Sequence, residues 1–199
     1  MKRTFDVVVS AVALVLAAPM MAVIAILVRA SSPGPVIYKS IRVGHRGQRL
    51  EMLKFRTMVA DAPDLRNADG STYNASDDPR VTRVGGWLRR TSLDELPQLW
   101  NVLRGDMSLV GPRPDLFDQQ EHYSAEDFRR LEVKPGITGL AQTRGRNETS
   151  WAQRRRLDVE YVETHSFVGD LGILLRTIPG ILRGRGVYSS HKPPAPHEG

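Results

Sequence analysis

The feature that most constrains this chain of 199 residues is an uninterrupted apolar run near its N-terminus. The run, VVVSAVALVLAAPMMAVIAILV, covers Val7 to Val28, which is 22 residues without a charged side chain. A helix of this length would measure about 33 Å, enough to cross the hydrocarbon core of a bilayer. We therefore expect the chain to be held at a membrane.

Three arrangements of this run are considered. A cleaved signal peptide begins with a basic head containing a residue such as Lys2, but its apolar region usually spans only about 7–15 residues, and Asp6 also argues against it. A single crossing has the right length. A re-entrant helix, kinked at Pro19 near the midpoint, is favoured by basic residues at both ends, including Arg29. On these residues alone, a single crossing and a re-entrant helix over residues 1–30 both stay open, and the re-entrant form would leave both ends on the cytoplasmic face.

Charge and composition limit the classes of partner that the chain is expected to bind. The net charge of +6 predicts an anionic partner, for which nucleic acid, a phosphorylated substrate and anionic lipid all qualify. Aromatic residues make up only 7% of the chain, so we expect no nucleic-acid partner. The absence of cysteine excludes a disulfide framework and a thiolate zinc site.

The remaining chain has the pattern of an α+β domain, predicted over residues 31–188, with a disordered tail over 189–199. The breaker SSPGP at 31–35 closes the membrane segment. A β-hairpin is predicted from two strands, Val36–Val43 and Gln48–Phe55. A short helix or turn is predicted around Val81–Arg90, and helices are predicted around Asp115–Leu131, Trp151–Thr164 and Asp170–Arg183. The last of these is basic and amphipathic, which suits either a helix on the membrane surface or a core helix with a solvated arginine face.

Residues 91–114, TSLDELPQLWNVLRGDMSLVGPRP, contain two adjacent carboxylates, Asp94 and Glu95. The structural interpretation is a capping box, in which Ser92 and Glu95 satisfy free amides at a helix start. That motif gives no role to Asp94. The chemical interpretation is a phosphate site in which the carboxylates share a Mg²⁺ ion with the substrate, or in which one carboxylate is a nucleophile.

Several basic residues lie close to this pair in the sequence. Arg113 stands between two prolines, which restrict the backbone and make it a good fixed anion donor. Lys54 and Arg56 alternate on a predicted strand and therefore share one of its faces. Most such residues are surface charges by default. The basic residues within this stretch of the chain are Lys54, Arg56, Arg80, Arg83, Arg89, Arg90, Arg104 and Arg113.

Taken together, these segments resemble the monotopic phosphoglycosyl transferases, a family of bacterial sugar transferases, in its small form that consists of the catalytic domain alone. The likeness extends from about Lys2 to Tyr188. It includes KRTFD at 2–6, SPGPVIYKSIRVGHRGQ at 32–48, KFRTM at 54–58, DPRVTRVGGWLRRTSLDELPQLWNVLRGDMSLVGPRP at 78–114 and KPGITGLAQ at 134–142.

The resemblance implies transfer of a sugar 1-phosphate from a UDP-sugar to a polyprenol phosphate, usually undecaprenyl phosphate, with release of UMP. It implies a ping-pong mechanism in which Asp94 is the nucleophile and Glu95 works with Mg²⁺, both carboxylates serving as metal ligands. Substrate contacts are expected at Lys54, Arg56, Arg80 and Arg113, with Asp158 as a supporting residue. The resemblance also implies that the apolar segment over residues 1–30 is re-entrant, so that it enters one leaflet, turns at its proline and returns to the same face. The enzyme would lie on the cytoplasmic face of the bacterial inner membrane and catalyse the first membrane step in the synthesis of a glycoconjugate such as exopolysaccharide or O-antigen.

One departure and several alternatives remain. Family members often carry Ser before the kink proline, where this chain has Ala18, so any hydroxyl contribution to the bend is lost. The competing function is a membrane-anchored binding or scaffold protein. A homodimer is left open. The sugar is not specified by these motifs, and residues 60–77 and 143–150 are the expected determinants of specificity.

Overall fold

The computed structural model of the chain describes residues 1–67, 72–75, 77–144 and 150–182. The predicted tail at 189–199, Arg183 and most of the segment 143–150 lie outside these residues. The fold is mixed helix and sheet. Its helices are α1 (Lys2–Ser31), α2 (Arg83–Thr91), α3 (Gln98–Arg104), α4 (Leu140–Arg144), α5 (Trp151–Thr164) and α6 (Phe167–Leu182), and its strands are β1 (Ile37–Val43), β2 (Arg49–Phe55), β3 (Ser108–Val110) and β4 (Gly136–Thr138).

Helix α1 is long and apolar enough to cross a membrane, and it continues through Pro19. One stripe of the helix packs on the rest of the protein. Ile24 and Val28 are buried against Phe55 and Leu88 in a small apolar cluster. The remaining surface of α1 exposes the apolar side chains of Val8, Val12, Val15, Leu16, Met20, Val23, Ile26 and Leu27.

Polar contacts fasten the start of α1 to the domain. Lys2 Nζ donates to Val110 O at 3.0 Å. Asp6 is buried, and its carboxylate accepts a hydrogen bond from Ser108 Oγ at 2.8 Å and another from the Leu109 amide at 3.2 Å. Asp6, the acidic residue that argues against a signal peptide, is therefore buried and hydrogen-bonded to strand β3.

The end of α1 is held by Arg56, just beyond strand β2. The guanidinium group donates to the carbonyl oxygens of Pro33 at 2.5 Å, Pro35 at 2.7 Å and Ser32 at 2.8 Å. These carbonyls follow the last turn of the helix, where the backbone lacks helical partners. Both ends of α1 are thus attached to the same domain.

The predicted hairpin is confirmed. Strands β1 and β2 pair antiparallel from Ile37↔Phe55 to Val43↔Arg49, and a 3₁₀ turn at His45–Gly47 joins them. Strands β3 and β4 form a separate parallel pair. The main core lies between these sheets and the helices, and it contains Leu50, Met52, Leu99, Val102, Met107, Leu109, Val110, Leu140, Tyr161, Val162 and Ile173.

The helix predicted over Asp115–Leu131 is wrong. The segment forms two short 3₁₀ helices, Phe117–His122 and Asp127–Glu132, separated by an extended residue at Tyr123. Tertiary contacts explain the break, because the side chains of Asp115 and Tyr123 are both bonded to Arg130. The helix predicted over Trp151–Thr164 is confirmed as α5.

Helix α6 begins at Phe167, three residues before the predicted start. Ile173 and Leu174 pack against the main core, whereas Val168, Leu175 and Ile178 are exposed. The helix therefore has one face in the core and one exposed apolar face. Each of the two interpretations of its amphipathic sequence thus describes one part of the helix.

Candidate active site

The two carboxylates lie on a short 3₁₀ turn, Leu93–Glu95, between α2 and α3. The predicted capping box is wrong, since the side chain of Ser92 makes no capping hydrogen bond. Ser92 instead adopts the left-handed conformation with φ 58°, and its amide donates to Arg89 O at 3.1 Å, which ends α2. Pro97 then precedes the first turn of α3. This backbone turn orients the two side chains toward the hairpin.

Glu95 is clamped by two cations. Lys54 Nζ lies 2.9 Å from Glu95 Oε1. Arg113 Nη2 lies 2.5 Å from the same oxygen, and Arg113 Nη1 lies 3.4 Å from Oε2. Ion pairs with shared hydrogen bonds are geometrically specific, so the position of this carboxylate is well defined. The structure thus places Lys54 and Arg113 beside the dyad, while their predicted contact with substrate stays a prediction.

Asp94 has a different environment. Its side chain is only 11% exposed, and its closest cation is Lys54, with Nζ 3.8 Å from Asp94 Oδ2. Within the described part of the chain, the Asp94 carboxylate accepts no side-chain hydrogen bond. The dyad therefore contains one carboxylate hydrogen-bonded on both oxygens and one that is buried, with an ion pair to Lys54 at 3.8 Å but no side-chain hydrogen bond among the described residues.

The pKa values of the pair are moved in opposite directions. Burial raises the pKa of Asp94 above 3.8, and Lys54 only partly offsets this effect. Burial also disfavours the charged form of Glu95, but the attraction of Arg113 and Lys54 outweighs it and holds the pKa of Glu95 well below its usual range. Burial lowers the pKa of the Lys54 ammonium, which Glu95 opposes. The charged form is therefore favoured at Glu95 and disfavoured at Asp94.

The Gly-Pro-Arg-Pro segment is fixed by its backbone. Gly111 N donates to Thr138 O at 2.9 Å, and Gly136 N donates to Pro112 O at 2.9 Å. A Cβ atom at Gly111 would lie 2.4 Å from Lys134 O, so only glycine allows the two strands to approach this closely. The carbonyl of Arg113 also accepts a hydrogen bond from Arg130 Nη2 at 2.8 Å. The guanidinium that reaches Glu95 therefore projects from a rigid support.

Arg130 belongs to a buried charge network behind this segment. Its guanidinium is paired with both Asp115 and Asp158. Burial raises the pKa of Asp158 to about 6, while attraction to Arg130 acts in the opposite direction. Asp158, predicted as a supporting residue, contacts Arg130 and not the dyad, so any support it gives passes through Arg130 to the backbone of Arg113.

The structure gives Arg56 and Arg80 intramolecular partners away from the dyad. Arg56 binds the carbonyls that follow α1, as described above. Arg80 is buried, with its Nη2 atom 2.6 Å from Asp78 Oδ2 and its Nη1 atom 2.7 Å from Pro63 O. The structure therefore does not bring these two predicted substrate contacts together with Lys54 and Arg113.

Sequence reasoning missed Asn101, which is fully buried on α3. Its side-chain oxygen accepts from the Leu53 amide at 2.9 Å, and its amide nitrogen donates to Glu51 O at 2.7 Å. These bonds fix strand β2, and hence Lys54, relative to the dyad. The one available signal was a polar residue within an apolar helical pattern, and it does not identify a partner 50 positions away.

Within the described ranges, no group of three or more His, Cys, Asp and Glu side chains is placed to hold a metal ion. The dyad does supply two adjacent carboxylates. Mg²⁺ is commonly held by one or two carboxylates, with substrate phosphates and water completing its coordination. The donor set at Asp94 and Glu95 fits an ion that arrives with a phosphorylated substrate.

Comparison with known proteins identifies the family to which the chain is similar. The family model of the bacterial sugar transferases matches residues 1–184. The chain is 44% identical over 198 residues to the exopolysaccharide production protein ExoY of Rhizobium meliloti (strain 1021), covering 94% of this chain and 88% of the relative. It is 44% identical over 197 residues to the UDP-glucose:undecaprenyl-phosphate glucose-1-phosphate transferase of Caulobacter vibrioides, covering 94% and 72%.

A third relative is longer. The undecaprenyl-phosphate galactose phosphotransferase of Salmonella typhimurium (strain LT2) is 42% identical over 199 residues, which cover 94% of this chain and 42% of that protein. The similarity therefore falls on one part of the longer relative.

Proposed function

The chain belongs to the bacterial sugar transferase family, and we propose that it transfers a sugar 1-phosphate from a UDP-sugar to a polyprenol phosphate, releasing UMP. Two of the relatives described above are named as undecaprenyl-phosphate sugar-phosphate transferases. The observation that carries the proposal is the unequal dyad, in which Glu95 is hydrogen-bonded to Lys54 and Arg113 while Asp94 is buried with only an ion pair to Lys54 at 3.8 Å among the described residues.

The inequality assigns a different task to each carboxylate. A nucleophile must have a lone pair free to approach the substrate, and the Asp94 carboxylate is the one without hydrogen bonds from the described side chains. A burial-raised pKa also makes Asp94 a more basic carboxylate than an exposed aspartate. Glu95, already held by two cations, is suited to orient those cations rather than to attack.

The transfer consists of two displacements at one phosphorus atom. Asp94 Oδ attacks the β-phosphorus, which carries the sugar, and the bond from that phosphorus to the bridging oxygen breaks. UMP leaves with the bridging oxygen and the electron pair, and the sugar phosphate remains as an acyl phosphate on Asp94. An oxygen of the polyprenol phosphate then attacks the same phosphorus, the Asp94–phosphorus bond breaks, and the carboxylate is regenerated.

Cations near the dyad offset the charge of these phosphates. Lys54 and Arg113 are within reach of the group that approaches Asp94, because both already contact the neighbouring Glu95. Asp94 and Glu95 would be the residues that hold a Mg²⁺ ion, which would supply positive charge to offset the charge that develops on UMP. Preorganised charges of this kind stabilise phosphoryl transfer.

We further propose that α1 does not cross the bilayer but is re-entrant, so that the domain lies on the cytoplasmic face. Lys2 and Asp6 hold the start of α1 to the domain, and Arg56 holds its end. A helix whose two ends bind one domain does not place them on opposite faces of a membrane. The arrangement also suits the chemistry, since a soluble UDP-sugar must meet a lipid that stays in the bilayer.

The test is UMP release by the purified chain in lipid nanodiscs, with undecaprenyl phosphate, Mg²⁺ and a panel of UDP-sugars. We expect at least one UDP-sugar to yield UMP, and we expect Asp94→Asn to abolish turnover, because an amide is a very poor nucleophile. Glu95→Gln should be severely impaired. Asp118→Asn, which removes an exposed carboxylate paired with Arg66, is the matched control and should retain activity. Substantial turnover by Asp94→Asn would exclude its role as nucleophile.

The two-step route has its own test. Incubation with a sugar-labelled UDP-sugar and no polyprenol phosphate should leave label on the protein, released by hydroxylamine as expected for an acyl phosphate. Peptide mapping should locate the label at Asp94. A protein that turns over both substrates but never carries label would follow a single-displacement route instead.

A further inference from the structure

One face of the β-hairpin carries a second cationic side chain in addition to Lys54, the one that pairs with the dyad. Directly opposite residues of an antiparallel pair point to the same face, and so do residues two apart. The register Tyr38↔Lys54 and Arg42↔Leu50 therefore places Arg42 on the same face as Lys54, the face from which Lys54 reaches Glu95. Arg42 is the second cation on this face of the hairpin.

The backbone also brings Arg42 beside the Arg113 segment. Val43 N donates to Asp115 O at 3.0 Å, and an isolated antiparallel bridge pairs Arg42 with Leu116. Strand β1 thus runs alongside the residues that immediately follow Arg113 and Pro114. Two rigid segments, the hairpin and the Gly-Pro-Arg-Pro turn, hold two arginines next to each other.

The guanidinium of Arg42 is poorly matched by its protein neighbours. Its Nε atom donates to Ser40 Oγ at 2.8 Å. Within the ranges that the structure describes, its two Nη atoms have no hydrogen-bond partner and no carboxylate lies within salt-bridge distance. Asp115 is the acidic group that attracts Arg42 most strongly, but its carboxylate is already bonded to Arg130, Tyr123 and Trp151.

Burial and a neighbouring positive charge both disfavour the charged form of Arg42. Burial lowers the pKa of Arg42 to about 10, and repulsion from Arg113 adds to that effect. The attraction of Asp115, Tyr38 and Glu95 does not compensate. A half-buried guanidinium with unsatisfied donors and a like-charged neighbour is relieved when an anion binds between the two arginines.

We propose that Arg42 is a third anion-binding residue of the site, and that its two Nη atoms donate to phosphate oxygens of a substrate held between Arg113, Lys54 and the dyad. The inference rests on the function proposed above and extends it to a residue outside the carboxylate segment. Its planar pair of donors matches two phosphate oxygens. Both substrates supply such oxygens, the UDP-sugar through its diphosphate and the polyprenol phosphate through its monoester.

The test compares Arg42→Gln with Lys39→Gln. Lys39 lies on the same strand but on the opposite face, in an exposed pair with Glu51 at 3.2 Å, so its substitution removes an equal charge without touching the site. UMP binding is measured by calorimetry, which needs no turnover, and UMP release is measured against both substrates. The unfolding temperature of each variant is recorded alongside.

If Arg42 binds the donor phosphates, Arg42→Gln weakens UMP binding and raises the KM for the UDP-sugar by roughly tenfold or more. If it binds the acceptor, UMP affinity is unchanged and the KM for polyprenol phosphate rises instead. In either case Lys39→Gln behaves like the parent, and Arg42→Gln unfolds at the same or a higher temperature, because a strained charge has been removed. Arg42→Lys keeps the charge but not the planar pair of donors, so its binding should lie between that of the parent and that of Arg42→Gln.

The proposal is overturned if Arg42→Gln matches Lys39→Gln in UMP affinity and in the KM values for both substrates. It is also overturned if Arg42→Gln loses affinity together with a clear fall in unfolding temperature, and if Arg42→Lys fully restores both the unfolding temperature and binding. That second result would make Arg42 structural. A parent protein that binds UMP but releases none from any UDP-sugar would instead overturn the proposed function. Calorimetric binding of UMP and of polyprenol phosphate to the parent and to Arg42→Gln would then still decide the role of Arg42.

Discussion

Arg113 Nη2 lies 2.5 Å from Glu95 Oε1, and Arg113 Nη1 lies 3.4 Å from Glu95 Oε2. The planar guanidinium therefore faces the carboxylate with both terminal nitrogens. Lys54 approaches the same carboxylate from the hairpin. This arrangement links three separate stretches of the chain and leaves the adjacent Asp94 as the carboxylate available for chemistry.

Replacement of Arg113 by Lys tests the two-point contact. A lysine keeps the charge but offers a single ammonium, so the paired donors are lost. We expect kcat/KM for the UDP-sugar to fall by roughly tenfold to a hundredfold, in line with about 1.5–3 kcal/mol for a hydrogen bond to a charged group. Arg129→Lys, at an exposed pair with Glu163, is the matched control and should leave kcat/KM unchanged. A parent-like Arg113→Lys enzyme would show that one positive charge is sufficient.

The pH dependence of the reaction should report Asp94. Its carboxyl must lose a proton to attack, and burial raises its pKa above 3.8, so activity is lost as pH falls through this raised value. Lys54 lowers the pKa of Asp94, and Lys54→Gln removes that influence. The acid limb of the kcat/KM profile should therefore move to higher pH in Lys54→Gln.

Lys39→Gln serves as the control for this profile, because it removes a lysine from the other face of the hairpin. Its acid limb should coincide with that of the parent. An acid limb that stays in place or moves to lower pH in Lys54→Gln would mean that the profile reports another group.

Two adjacent glycines of α2 should respond oppositely to alanine. A Cβ atom at Gly85 would lie 1.9 Å from the Thr57 carbonyl oxygen, whereas at Gly86 its nearest neighbour would be Arg90 Nη1 at 3.5 Å. Gly85→Ala should lower the free energy of unfolding by about 1–3 kcal/mol or more through the backbone clash. Gly86→Ala should leave it unchanged or raise it by about 0.5–1 kcal/mol, since alanine favours a helix. Chemical denaturation in detergent distinguishes the two, and equal effects would contradict the close packing of α2 on Thr57.

Asn101 should matter for both stability and catalysis. Asn101→Ala leaves the Leu53 amide and the Glu51 carbonyl without side-chain partners, at a cost of about 1–3 kcal/mol for each buried group left unpaired. Because these atoms flank Lys54, turnover should fall as well. Asn101→Asp keeps the acceptor for Leu53 and should be intermediate in unfolding measurements. A variant that is as stable as the parent would show that α3 does not hold the hairpin through this side chain.

The hairpin and α5 could be predicted because their signals are local. Strand alternation and a short Gly-rich connection are enough for Ile37–Val43 and Arg49–Phe55 to pair. The segment 115–131 was predicted wrongly because its conformation depends on distant partners: Asp115 is bonded to Arg130 and to Trp151 of α5. Helical periodicity does not contain that information.

The residues of the site likewise divide into those that could be predicted from local sequence and those that could not. Adjacent carboxylates and a proline-flanked arginine are visible in the sequence, and Asp94, Glu95 and Arg113 do come together. Arg56 and Arg80 have the same residue type and similar spacing, yet one binds the carbonyls after α1 and the other binds Asp78. Only the three-dimensional positions of those partners separate a structural arginine from one that faces the dyad.

The orientation of α1 is the remaining prediction. Lys2 and Asp6 bind the domain at one end and Arg56 binds it at the other, so we expect both ends on the cytoplasmic face. Thr4 and Ala30 are exposed, near opposite ends of α1, in a chain without cysteine. Thr4→Cys and Ala30→Cys should both resist a membrane-impermeant thiol reagent in intact spheroplasts, and both should react once the membrane is opened. Labelling of position 4 alone in intact spheroplasts would show a crossing helix, and it would require the contacts of Lys2 and Asp6 with the domain to be broken in the membrane.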